Sequence, residues 1–350
     1  MRRRPLQVLI VVAAVLTSAL ATAAVAEAKA PTTTGTVTSG TAMLSPDVAR
    51  TVTGTGAEAH QTALKRYWTA ERMKAAKPDS ELPAMRSAAT AERVAKAPTR
   101  PQGPPMQVAP GAPSAGSTAA STTVQPMSYY PGYPVGHPVA RTYGKVFFTL
   151  LGGNYVCSGT IVNTEGRSVV WTAGHCLTGS QTWATNWTFV PNYDSGSAPY
   201  GHWYAYQLWT TTAWFYNNND FANDVGAAVM YRSGGWRITD YLGGQGIAWN
   251  YGTGYYMYAF GYPQGYPFDG CCLVADEGPT YDGGGGTIYM VNYMTGGSSG
   301  GAWLNWFDGS WGYINGHNDF KYTSLPQYMF SPYYGDQVGG LYEAVRYIST

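Results

Sequence analysis

Charge is scarce in this chain of 350 residues: Asp, Glu, Lys and Arg make up 12%, and they nearly cancel at +1. It is also unevenly spread. Residues 1–126 hold 14 Lys and Arg against 7 Asp and Glu, a net +7, whereas residues 127–350 hold 7 against 13, a net −6. The larger part thus lacks a basic patch, which excludes a strongly basic nucleic-acid binder. Aromatic residues are nearly missing from the first third: of 51 Phe, Trp and Tyr, only Tyr67 and Trp68 precede residue 127. A packed aromatic core therefore belongs to residues 127–350. Histidines there are few, and His137, His175, His202 and His317 show no metal-ligand spacing. Neither a metal nor a cofactor is expected.

Long apolar runs are lacking except at the start. Arg2, Arg3 and Arg4 precede an apolar stretch over residues 6–26 that ends in Ala24-Val25-Ala26. Basic residues, an apolar run and small residues in that order read as an export signal, cleaved after Ala26 or Ala28. The alternative is a retained anchor, since the run nearly reaches the length that spans a bilayer. Arg3-Arg4 weakly resembles a twin-arginine signal. The expectation is a secreted, extracellular protein, not membrane-bound after processing, in which disulfides are permitted.

Residues 27–126 read as a propeptide and linker rather than a second domain. Ala63, Leu64, Tyr67, Trp68 and Met73 fall mainly at helical spacing, which predicts one amphipathic helix over 60–76. One helix cannot bury its own face. Without the signal this segment is +4, opposite to the −6 of residues 127–350, so it is expected to dock there by charge as an inhibitory or folding-assisting segment. A disordered secreted linker is the alternative. Residues 97–125, rich in Pro, Gly, Ala, Ser and Thr, predict an exposed, cleavable linker.

Helical periodicity is nearly absent from 127–350. Runs at 145–151, 155–162, 168–172, 187–191, 204–209, 225–231, 255–261 and 288–293 are β-branched or aromatic and end at Gly, Asn, Asp or Pro. Many short strands with Gly turns predict an all-β sandwich or barrels. Only Leu341, Ala344, Val345 and Ile348 have helical spacing, which predicts a terminal helix.

Three motifs carry chemistry. Val169-Val170-Trp171-Thr172-Ala173-Gly174-His175-Cys176 is a strand running into a tight turn that presents an imidazole, the side chain suited to exchanging protons near neutrality. A bridge between Cys157 and Cys176 would staple the strands beneath it. In Asn223-Asp224-Val225-Gly226, a carboxylate begins an uncharged apolar strand, where it needs a hydrogen-bonded partner such as an imidazole N–H. Neighbouring Asp220 sits among asparagines and reads as a loop residue. Thr295-Gly296-Gly297-Ser298-Ser299-Gly300-Gly301 combines a nucleophilic hydroxyl with glycines that let backbone N–H groups aim at a developing oxyanion. A flexible Gly/Ser turn, like Gly283-Gly284-Gly285-Gly286, is the alternative for that motif alone.

Together, Cys157-Ser158-Gly159, Thr172-Ala173-Gly174-His175-Cys176, Asn223-Asp224-Val225 and Gly297-Ser298-Ser299-Gly300-Gly301 make residues 143–350 resemble a secreted bacterial chymotrypsin-like (trypsin-like) serine peptidase. The resemblance implies two six-stranded antiparallel β-barrels, over about 141–235 and 236–337 of a domain at 127–350, with a short C-terminal helix. It implies that Ser299 is the nucleophile, His175 the base and then the acid, and Asp224 the residue that steadies the imidazolium. The N–H groups of Gly297 and Ser299 would form the oxyanion hole. Protein or peptide substrates and the chain's own propeptide would be its partners, and a monomer is expected.

Two departures qualify the resemblance. Ser298 stands where trypsin-type zymogens carry Asp, so activation by an ion pair with a new N-terminus is not expected. No cysteine follows Cys272, and the adjacent Cys271 and Cys272 could form a vicinal disulfide, stay free or pair between molecules. For specificity, His317 stands where glutamyl endopeptidases carry a histidine and is a candidate to receive an acidic P1 side chain beside Thr295 and Met294. Against this, Met294 replaces their threonine, the domain is acidic, and a buried structural histidine is the simpler reading. Two rivals remain: a non-catalytic secreted binding protein on a peptidase scaffold, and a carbohydrate-binding module. The second would explain the Trp and Tyr but not the three motifs.

Overall fold

The computed structural model describes residues 32–34, 36–90, 96–114 and 133–350, so the export signal expected at 1–26 lies outside the described residues. The principal elements of the N-terminal segment are β1 (Val37–Thr41), α1 (Gly56–Tyr67), β2 (Lys77–Pro78), α2 (Pro83–Thr90) and β3 (Met106–Val108). The first barrel is built from β4 (Tyr143–Leu150), β5 (Gly153–Val162), β6 (Val169–Thr172), β7 (Thr185–Pro191), β8 (Trp203–Thr211) and β9 (Gly226–Met230). Around the ring the order is β4-β5-β6-β9-β8-β7, and β7 pairs back with β4, every pairing antiparallel. Six strands thus close a barrel, as the motifs implied.

The second sheet uses β10 (Gly246–Trp249), β11 (Tyr256–Gly261), β12 (Val274–Gly284), β13 (Thr287–Val291), β14 (Ala302–Asn305), β15 (Tyr313–His317) and β16 (Tyr328–Pro332). Its order is β16-β13-β12-β11-β14-β15-β10-β3. It departs from a simple six-stranded barrel in two ways: β10 runs parallel to β15, and an isolated Phe320 to Phe330 bridge replaces a continuous closing ladder. Helix α3 (Asp336–Val345) follows, burying Val338, Leu341, Tyr342 and Val345.

Strand β4 explains why alternation is weak here. Val146, Phe148 and Leu150 share one core with Cys157, Ile161 and Val170, while Tyr143 and Phe147 on the other face join a second core. That second core includes Trp68 and Met73 of the N-terminal segment, so both faces of β4 are covered and both must be apolar.

The segment itself packs closely on the domain. Strand β1 adds to β8, with Val37 to Thr41 opposite Thr211 to Gln207. The Trp68 ring is buried 5.6 Å from Phe147 and donates its Nε1–H to the Asn186 carbonyl at 2.7 Å. This anchor breaks the single helix expected over 60–76. Trp68 leaves helical geometry, and Thr69 caps a new short helix, Ala70–Ala75, by accepting from the Arg72 N–H. The stretch expected to be an exposed linker also contributes structure, since β3 pairs with β10. Docking by charge is corrected as well. The burial of Leu64, Trp68, Met73, Leu82 and Met85 carries the contact, and the ion pairs of Glu81 stay within the segment.

Candidate active site

Strand pairing brings the site together. β6 and β9 run antiparallel with Thr172 opposite Gly226, so the turn after β6 meets the residue before β9. That turn, Gly174–Cys176, carries His175, and β9 is preceded by Asp224 and Val225. The His175 Nδ1 lies 2.8 Å from Asp224 Oδ2, and the His175 N–H donates to Asp224 Oδ1 at 2.8 Å. Gly174 is needed for this approach, because a Cβ there would stand 2.8 Å from Asp224 Oδ1 and 2.5 Å from Trp214. Cys176 is bonded to Cys157 on β5, which ties the turn to the barrel wall. Asp220 remains in the loop, accepting from Asn223.

Ser299 lies between β13 and β14. Its carbonyl accepts from the Ser158 N–H at 2.7 Å, while the Ser158 hydroxyl donates to the Gly297 carbonyl at 2.9 Å. Strand β5 of one barrel therefore holds the loop of the other. Gly297 has φ +98, where a side chain is strained, and a Cβ there would stand 2.6 Å from the Tyr262 carbonyl. Its N–H is thereby turned toward the space beside the Ser299 hydroxyl.

Two carboxylates that the sequence reading passed over share this space. Asp319, two residues beyond β15, is fully buried with Oδ1 3.4 Å from His175 Nδ1. Its oxygens lie close to Asp224 and meet no hydrogen-bond donor, so two acceptor groups face one another. Burial first, and then the Asp224 charge, push the Asp319 carboxyl well above its ordinary range, with His175 pulling the other way. A proton on Asp319 lets it donate to Asp224 and removes the clash. The second is Asp79, in the 3-10 turn Asp79–Glu81 of the N-terminal segment. Asp79 Oδ1 accepts from the Gly297 N–H; Oδ2 accepts from Ser299 Oγ at 2.5 Å and lies 3.0 Å from His175 Nε2. Burial alone would push His175 down. Asp224 above all, with Asp319 and Asp79, outweighs it, and His175 is raised well above its ordinary value.

No family model and no curated protein matches the chain, but solved structures do. The crystal structure of protease Anisep from Arthrobacter nicotinovorans is 38% identical, with 59% of this chain and 95% of that one covered at a TM-score of 0.56. A thermostable serine protease, AL20, from an extremophilic microorganism is 37% identical over 60% of this chain and 98% of its own, also at 0.56. A Glu endopeptidase shares only 15% identity, over 64% of this chain and 99% of its own at 0.51, a likeness of fold. This chain belongs to the chymotrypsin-like serine peptidases.

In this peptidase the residues expected to line the substrate pocket have the following partners. Thr295 is half-buried and donates its hydroxyl to the Gly265 carbonyl at 2.7 Å, and Met294 is buried with its sulfur against Asn318. His317 lies within electrostatic reach of Asp224 and His175. It is wholly buried, its Nδ1 2.9 Å from the Tyr334 hydroxyl, and burial pushes it down to about 3, so it is neutral and offers an acidic side chain no cation. The ammonium of Lys321 is engaged by the carbonyls of Asn292 and Pro326. Cys271 and Cys272 are bonded to each other. Asp319 had a faint signal in the sequence, as an acid between Asn318 and the aromatic Phe320. Asp79 had none, since Pro78-Asp79-Ser80-Glu81 reads as an ordinary polar turn.

Proposed function

We propose that this peptidase is a secreted serine endopeptidase, made as a precursor whose residues 27–126 form a pro-segment and linker. Ser299 attacks the scissile carbonyl, and His175 takes its proton and returns it to the leaving amine. Asp224 holds the imidazole, and the N–H groups of Gly297 and Ser299 receive the oxyanion, through an acyl-enzyme. The observation that carries this reading is the convergence on one atom: both His175 Nε2 and Ser299 Oγ contact the same carboxylate oxygen, while Nδ1 is held by Asp224 at 2.8 Å. A reacting group placed there touches base and nucleophile together.

Fluorophosphonate labelling of protein processed and freed of residues 27–126 tests it. Label is expected on Ser299 and absent from Ser299→Ala, with kcat reduced by at least about 10⁴-fold in that variant. Unlabelled protein that has lost residues 27–126 would favour the binding scaffold instead. The P1 preference stands apart from this reading. Because His317 is buried and neutral, a peptide-substrate scan is expected to find no excess of Glu or Asp at P1.

A further inference from the structure

The contacts of Asp79 are those of an inhibitor. One carboxylate oxygen takes the Gly297 N–H, and the other lies between the Ser299 hydroxyl and the His175 ring. The neighbouring residues fix it there. Lys77 and Pro78 of β2 pair with Tyr155 and Val156 of β5, and the Ala76 carbonyl accepts from Gln264 Nε2 at 2.6 Å. Ser80 lies over Gly296, where a Cβ would come within 2.1 Å of its hydroxyl. On the far side Leu82, Met85 and Ala88 are buried in the core that contains Phe320 and Phe330, and the Ala89 carbonyl accepts from the Thr323 N–H at 2.7 Å.

We propose that the Asp79 side chain is the group that keeps this peptidase latent, an internal carboxylate ligand that takes the Gly297 N–H of the oxyanion hole and stands between nucleophile and base. This rests on the serine peptidase reading and names how its site is regulated. The chemistry is blocked in three ways. The Ser299 proton is donated to a carboxylate oxygen rather than to His175 Nε2. The imidazole, held between Asp224 on Nδ1 and Asp79 on Nε2, is favoured as imidazolium, which cannot accept a proton. The Gly297 N–H that would meet an oxyanion already has a partner. Ser299 Oγ meets a side-chain carboxyl oxygen and not a peptide carbonyl, so this contact presents it with no amine to expel. Glu81, two residues on, is half-exposed and pairs with Lys77 and Arg86 instead, so the role belongs to one acid of the turn.

The test is fluorophosphonate labelling of the full-length chain, read on the uncleaved band, for wild type, Asp79→Ala, Asp79→Asn and Glu81→Gln. Wild type and Glu81→Gln should label slowly. Both Asp79 variants should label roughly 10²-fold faster or more, the scale of losing an oxyanion-type contact. Asp79 variants that stay as slow as wild type while folded would overturn the proposal. If the variants fail to fold, wild-type protein processed and freed of its own segment is titrated with a segment spanning residues 36–90, either native or carrying Asp79→Asn. A roughly 10²-fold weaker inhibition by the variant segment supports the proposal, and equal inhibition rejects it. Wild-type protein freed of the segment, with residues 36–114 shown by mass to be gone, that takes no label at Ser299 would instead sink the peptidase reading itself, so the two failures are separable.

Discussion

Asp319 gives His175 a second acidic neighbour, and its charge state decides what that neighbour does. A neutral Asp319 donates to Asp224 and steadies it, whereas an ionised one would raise the His175 basicity. Burial and the Asp224 charge favour the neutral form. Asp319→Asn, which keeps a donor, should therefore hold kcat within about 10-fold, and Asp319→Ala should lower it by about 10². The acid limb of kcat/KM against pH should stay in place in Asp319→Asn; a limb displaced to lower pH would show that Asp319 carries charge. At this scale, the sequence makes His175, Asp224 and Ser299 visible because each sits in a short motif with its own chemical reason. Asp319 and Asp79 act only through spatial neighbours, and Asp79 stands 96 residues from His175 in the chain, so no local pattern marks them.

Strand β4 carries a lysine that belongs to neither a surface nor an ion pair. Lys145 is buried, donating to Gln264 Oε1 at 2.7 Å and the Gly270 carbonyl at 2.8 Å, and so joins the first barrel to a loop of the second sheet. Burial pushes its ammonium from 10.5 down to about 7, against a weaker pull from Asp269. Between those two values the unfolded chain binds a proton that the folded protein does not, so this group makes stability rise with pH there. Denaturant unfolding at pH 7 and pH 9 should show the rise in wild type and a flatter response in Lys145→Met. The elements of the first barrel are legible in the sequence because β-branched and aromatic runs end at clear turn residues. The break at Trp68 is not, because a tertiary anchor on Asn186 overrides a helical pattern that is otherwise continuous.

For the whole molecule, opposite net charges on the two parts are a fact of composition that does not describe how they bind. Among the described residues, the one ion pair between the segment and the domain is His175 with Asp79, and it is buried. The rest is apolar packing, strand pairing and hydrogen bonds such as those of Trp68 to Asn186 and Tyr67 to Asn154. Salt screens exposed charges within roughly 3 Å at 1 M and leaves buried pairs largely untouched. A chain cut between residues 114 and 133 should therefore keep its segment through gel filtration in 1 M NaCl. Elution of the segment at high salt alone would contradict this. Two barrels with a cleft are implied by the motifs, while the coverage of that cleft depends on where segments with weak patterns of their own find partners.

Strands β1 and β3 grip opposite halves of the molecule, β1 on the first barrel and β3 on the second sheet. The segment is in this sense a bivalent ligand. When one strand peels off, the other keeps it at a high effective concentration beside its vacated edge, and re-pairing outruns escape. Severing the chain then changes its connectivity long before it changes the occupancy of the cleft. The lifetime of latency is set by the slower coincidence of both strands being free, or by a second cut between them.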